Sequence, residues 1–179
     1  MHSIPKAFSF VTYQLSQLHI MHYFTLARII HVVAVVFWIG GVAMVTTVIL
    51  PAVRRMNSKR DKIDTFEKIE GKFSLQAKIT TLLTAISGFY MMYELDAWDR
   101  YHQPKYWWIT AMTMIWVVFT IVLFILEPFV LHKWYQKNAE KNPEKTFHFI
   151  QRFHWVLLTL SMLTLIGAVA GSHGLFFIQ

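Results

Sequence analysis

Residues 29–53 read IIHVVAVVFWIGGVAMVTTVILPAV, 25 residues without an Asp, Glu, Lys or Arg. A helix rising about 1.5 Å per residue carries such a run about 37 Å, enough to cross a hydrocarbon core of about 30 Å. Two more charge-free runs follow, from Tyr106 to Leu126 and from Phe153 to Gln179. The stretch from Phe73 to Tyr93 is similar but contains Lys78. The pattern predicts four transmembrane helices, at about 27–52, 73–95, 105–128 and 150–172. Backbone groups in lipid must satisfy each other, and period-two alternation is absent, which selects helices over a barrel. Short connections between the spans give an all-α, up-down-up-down four-helix bundle.

Composition agrees. Of 179 residues, 55% are hydrophobic and 15% charged, and mean hydropathy is +0.41. Soluble domains carry about 25% charged residues. Cys is absent, which excludes disulfide frameworks, thiolate metal sites, iron–sulfur clusters and cysteine nucleophiles.

The net charge of +7 is unevenly spread. Eight Lys/Arg fall between Pro51 and Lys78 and five between Pro128 and Arg152, so 13 of 17 share one side of the membrane. Positive charge at that density marks the cytoplasmic side. Both termini are then outside, in the periplasm of a bacterial inner membrane, and nucleic acid is not an expected partner. Tyr90, Tyr93, Trp98, Tyr101, Tyr106, Trp107 and Trp108 read as an outer interfacial belt, and Trp134, Tyr135 and Trp155 as an inner one.

Residues 26–179 form one transmembrane domain in this reading. Residues 1–25 stand apart, with Phe8, Val11, Leu15, Leu18 and His22 at the spacing of an amphipathic interfacial helix. The stretch from Arg54 to Lys72 places Ile63, Phe66, Ile69 and Phe73 among charges, as a surface helix does.

Nine histidines are present, and four fall in two pairs of matching depth. His31, about one turn inside the outer end of the first span, is level with His173 at the outer end of the fourth. With Asn142–Pro143 as the centre of a hairpin, His132 and His154 each lie eleven residues from Pro143, near the inner face. Imidazole is the usual axial ligand of b-type haem. His31 with His173, and His132 with His154, are therefore candidate haem ligands. Arg28 and Arg152 are the cations that would meet the propionates. His154 and His173 are 19 residues apart, about 28 Å along a helix, so one haem or two are both open. Gly40, Gly41, Ala77, Thr81, Ala85 and Gly88, with Ser161, Thr164, Ala168 and Gly171, are small enough to admit a porphyrin or to serve as packing seams. His2, His19, His22, His102 and His148 read as interfacial capping groups. The nine Met form no longer cluster than Met91–Met92 and Met112–Met114, so core filling accounts for them.

Two charges sit at awkward depth. Lys78 lies about a turn inside the second span, and Glu127 near the inner end of the third. They are the candidate catalytic residues, able to pair or to carry protons. Pro128 leaves the carbonyl of residue 124 without its donor, which predicts a local deformation.

The sequence Arg28-x-x-His31 followed by Trp38-x-Gly40-Gly41 resembles the start of the copper-resistance D (CopD-like) membrane proteins and of the HemJ-type protoporphyrinogen oxidases. Phe73-Ser-Leu-Gln-Ala-Lys78, Gly88-Phe-Tyr, Arg152-Phe-His154-Trp and Gly171-Ser-His173-Gly174 share that character. The resemblance implies haem or copper handling at the membrane. Toward the HemJ-type proteins it implies b-type haem and porphyrinogen oxidation, with His31 and Lys78 as the functional positions. Toward the CopD-like proteins it implies copper entry.

The leading expectation is a membrane b-type haem protein that transfers electrons, with membrane lipid, a quinone or a redox protein as partners. The rivals are a haem-dependent oxidase in which Lys78 or Arg28 binds an acidic substrate, a copper transport protein, and a membrane anchor subunit of a respiratory complex. A homo-oligomer is compatible with each.

Overall fold

The computed structural model describes the backbone of residues 6–175, and side chains from residue 21 onward except those of 132 and 136. Among the described residues the chain is all-α. Helix α1 spans Lys6–Met44, continues as a π-helical turn over Val45–Ile49, and ends as α2, Leu50–Arg54. Helix α3 spans Lys59–Glu94. Two short 3₁₀ turns, Trp98–His102 and Pro104–Tyr106, lead into α4, Trp107–Thr120. The same rod continues as a π-helical segment, Ile121–Leu131, and then as α5, His132–Lys141. Helix α6 runs from Pro143 to Ser172.

Three stretches are long and apolar enough to cross a membrane: Met21–Arg54, Pro104–Leu131 and Pro143–Ser172. This is the signature of a multi-pass membrane protein. The predicted second span, 73–95, is the latter half of α3, a more polar helix. It packs along α1 more extensively than any other pair of elements packs. Helix α6 packs on α4, α1 also touches α6, and α3 touches α4.

Helix α3 is inside out by the standards of a soluble protein. Ser74, Thr80, Thr81, Thr84 and Ser87 are buried, while Leu75, Ile79, Leu82, Leu83 and Ile86 are exposed. Three of these hydroxyls are satisfied within the helix: Thr80 Oγ1 donates to the Gln76 carbonyl at 2.9 Å, Thr84 Oγ1 to the Thr80 carbonyl at 2.8 Å and Ser87 Oγ to the Leu83 carbonyl, whereas Ser74 Oγ donates to Glu127 and Thr81 Oγ1 has no partner among the described residues. Between helices, Trp116 Nε1 donates to the Thr81 carbonyl at 3.2 Å, and Gln76 Nε2 to the Phe37 carbonyl at 3.3 Å.

Both π-helical stretches are tied to prolines. A proline has no N–H, and its ring crowds the carbonyl four residues back, here Thr47 for Pro51 and Phe124 for Pro128. Winding to i→i+5 relieves that clash. It is the form taken by the deformation predicted at Pro128. In the first stretch the Thr46 and Thr47 hydroxyls donate to the Val42 and Ala43 carbonyls at 2.6 and 2.8 Å.

Two apolar clusters hold the rods together. The first centres on Trp38, Val42, Ala77, Phe119 and Leu157. The Trp38 and Phe119 rings meet edge to face, with centroids 4.9 Å apart. The second lies at the end of the molecule rich in Lys and Arg, and joins Val53, Phe66, Tyr135, Ala139 and Phe147. It corrects two sequence expectations. The stretch 59–72 is helical but is not a separate surface helix, because Phe66 is buried against α5 and α6 and extends α3 as one rod. Tyr135 is a core residue at 6% exposure and not part of an interfacial belt. Trp108 is likewise buried, over Gly171, where no Cβ could fit.

Asn142–Pro143 is the centre of the predicted hairpin. The Asn142 side chain accepts from the Lys145 N–H at 3.1 Å, and Pro143 occupies the first turn of α6, where its missing donor is harmless. At the other terminus α1 runs unbroken through residue 25. The side chains of Phe8, Val11, Leu15 and Leu18 lie outside the described residues.

Candidate functional site

A cavity of about 430 Å³ opens at the end opposite the basic cluster, between α1, α3, α4 and α6. His31, Arg28 and Trp38 contribute from α1, Thr84, Ala85 and Gly88 from α3, and Ser161 and Thr164 from α6. Arg100 adds a second cation from the loop before α4. Pockets that take small molecules and cofactors are about 300–1,000 Å³ and mostly apolar with a few placed polar groups.

The His31 ring is held by α3. Its Nδ1 donates to the Thr84 carbonyl at 2.9 Å and lies 3.2 Å from Ser87 Oγ. The Ser87 hydroxyl proton is committed to the Leu83 carbonyl, so its oxygen accepts. With the proton on Nδ1, the lone pair resides on Nε2. A backbone carbonyl that fixes the tautomer through Nδ1–H in this way is the usual partner of a metal-binding histidine. Gly88 makes the room, since a Cβ there would stand 3.1 Å from His31 Cε1.

Trp38 also lines this cavity. Its indole N–H is buried and has no hydrogen-bond partner among the described residues. Unsatisfied buried donors are rare in folded proteins, so it is a group with an acceptor still to find.

The other predicted ligands fall elsewhere. His173 is exposed at the end of α6, and its Nδ1 donates to the Val169 carbonyl of its own helix at 2.8 Å. It does not line the cavity that His31 lines. His154 lines a second cavity, of about 250 Å³, toward the basic end. Its Nδ1 donates to the Ile150 carbonyl at 2.9 Å. Arg152 is exposed and does not line that cavity. The His132 side chain lies outside the described residues.

Lys78 and Glu127 meet. Lys78 Nζ is 3.1 Å from Glu127 Oε1, and Ser74 Oγ donates to the same oxygen. Glu127 lines the second cavity, and Lys78 lines neither. Among the described residues no group of three or more His, Asp or Glu is gathered closely enough to hold a metal ion.

Of the small residues singled out in the sequence, Gly41, Gly88 and Gly171 are filled by protein, receiving Phe73, His31 and Trp108, whereas a Cβ on Gly40 meets nothing. Arg100 and the Trp38 N–H were missed as site residues. Arg100 lies in a polar loop, and an orphaned donor has no sequence signal. No family model, no curated protein and no solved structure matches this chain.

Proposed function

We propose that this chain is a redox protein of the membrane that holds one b-type haem in the larger cavity, with His31 Nε2 as axial ligand. The observation that carries the reading is the His31 ring itself, set in the cavity wall with Nδ1 tied to the Thr84 carbonyl. Arg28 and Arg100 line the same cavity and are the cations that propionates require. The Trp38 N–H offers a donor inside it. Haem bound there supplies one-electron chemistry. The protein binds it, orients it by the fixed imidazole, and shields it among apolar walls.

One haem is favoured over two. The smaller cavity, about 250 Å³, falls below the size range of cofactor sites. His173 is exposed and does not line His31's cavity.

Helix α3 completes the membrane domain in this reading. Its exposed face is apolar and its buried face carries hydroxyls, the arrangement lipid selects. The chain then crosses four times as an up-down bundle. The basic end is cytoplasmic by the positive-inside rule and both termini lie outside, in a bacterial inner membrane.

The test is an absorption spectrum of detergent-purified protein, oxidised and then reduced with dithionite, with haem quantified per chain. One haem per chain, lost in His31→Ala and kept in His173→Ala, is the expected result. Colourless protein from haem-replete cells would sink the reading.

A further inference from the structure

Helices α1 and α4 stand on opposite sides of the larger cavity. Each packs on α3 and on α6, and they touch one another little. Both run from the cavity toward the basic end. The register between them is fixed at one point, where the Trp38 and Phe119 rings meet edge to face with centroids 4.9 Å apart. Seven residues nearer the cavity mouth on each helix are His31 and Met112. Seven residues are nearly two helical turns, about 10 Å, so each interval returns to the same face. His31 and Met112 are therefore level with each other on opposed helices, and both line the cavity. A second register agrees. Trp116 Nε1 donates to the Thr81 carbonyl, and four residues toward the mouth on these two antiparallel helices are Met112 and Ala85. Ala85 adjoins Thr84, whose carbonyl holds the His31 ring.

The chemistry of the wall singles Met112 out. The other groups that α4 and α6 bring to it are hydroxyls, an indole and aliphatic chains. Tyr101, from the loop before α4, is tied to Thr113 Oγ1 at 2.9 Å. A thioether is a soft, polarisable donor that haem iron accepts. Met91 and Met92 also line the cavity, but from α3, the helix that holds the Nδ1 edge of the His31 ring. The Nδ1 and Nε2 bonds of an imidazole diverge widely, so iron on Nε2 lies on the side away from Thr84. A ligand trans to His31 then comes from across the cavity.

We propose that Met112 Sδ is the second axial ligand of the haem site, opposite His31 Nε2, which closes the iron to dioxygen and other small ligands. This rests on the haem reading of the larger cavity. A thioether opposite an imidazole favours the reduced iron and raises the reduction potential above that of a bis-imidazole site. A closed iron passes electrons through the haem edge and takes no substrate at the metal.

The experiment uses the full chain in a non-ionic detergent, with haem quantified per chain. The unmodified protein is expected to be low-spin in both oxidation states and to show a sulfur-to-iron charge-transfer band at the red end of the oxidised spectrum. Reduced, it should not bind carbon monoxide. Met112→Leu should keep its haem on His31, lose that band, turn high-spin and bind carbon monoxide, with elution volume and helical circular dichroism unchanged. Met112→His should restore the low-spin spectrum at a lower reduction potential. Met114→Leu, on the exposed side of α4, should leave spectrum and potential unchanged. Haem-loaded protein that is high-spin, or that binds carbon monoxide before any substitution, overturns the assignment of Met112 and leaves the haem reading standing. So does a folded Met112→Leu variant whose band and spin state have not moved. Protein without haem overturns the haem reading, and this assignment with it. Because the spectrum and carbon monoxide test of the unmodified protein need no variant, they decide the matter even where a substitution impairs folding.

Discussion

Lys78 Nζ and Glu127 Oε1 lie 3.1 Å apart, joining α3 to the π-helical segment one residue before Pro128. The side chains are 27% and 21% exposed, so each ion has lost most of its surroundings to protein. Removing one partner of such a pair strands the other. Lys78→Met and Glu127→Leu should each lower stability by about 3 kcal/mol, at the bottom of the range for buried pairs because of the residual exposure. The double variant should be less damaged than either single one. Thermal unfolding in detergent checks this, and a double variant that loses the sum of the two would refute the ion pair's role.

Gly40 and Gly41 are neighbours with different fates. A Cβ on Gly41 would stand 2.5 Å from Phe73 Cε2, whereas one on Gly40 meets nothing. Gly41→Ala should destabilise by about 1–3 kcal/mol through overpacking against α3. Gly40→Ala should be neutral, or stabilising by up to about 1 kcal/mol through helix propensity. Unfolding midpoints that move alike for the two would contradict the close approach at Phe73.

At Gly88 the neighbour is the His31 ring, 3.1 Å from a built Cβ. Gly88→Ala should push the imidazole and so lower haem content or shift the reduced absorption bands, while the fold survives. An unchanged spectrum at full haem occupancy would separate His31 from the haem.

Tyr135 gives a pH dependence. Burial, and then the nearby charges of Glu67, Glu70 and Asp64, push its phenol well above the ordinary value of 10.0. The unfolded chain therefore releases this proton near pH 10 while the folded chain keeps it. Stability from this group is complete below pH 10 and falls as pH rises beyond it. Tyr135→Phe should show a shallower alkaline loss between pH 9 and pH 11, and should be no less stable at pH 7, since an unsatisfied hydroxyl is removed. Parallel melting-temperature profiles for the two proteins would count against the shift.

Much of the fold was legible because its cause is local. A run of 25 residues without a charge must be helical in lipid, whatever surrounds it. Asn142–Pro143 announces a hairpin because the cap and the fixed proline φ act within one turn. The Lys78–Glu127 pairing was open to sequence because two isolated charges at similar depth have few other partners. The union of residues 59–72 with the second span was not. Charges at that spacing suit a surface helix equally well, and only the burial of Phe66 against Tyr135 and Phe147 fixes it as a rod, with centroids 5.3 and 5.4 Å away.

The sequence by itself determined the three long apolar helices, the concentration of positive charge at one end, and the spacing of His31, His154 and His173 along the chain, because rise per residue is constant. Only the tertiary structure decided direction around each helix. His31 and His173 could be matched by counting, yet His31 turns into a cavity under Thr84 while His173 folds back on Val169. Position along a helix is a property of the chain, whereas azimuth depends on which neighbour each face packs against. That neighbour is set by contacts such as Phe73 over Gly41 and Trp108 over Gly171, each between residues far apart in sequence.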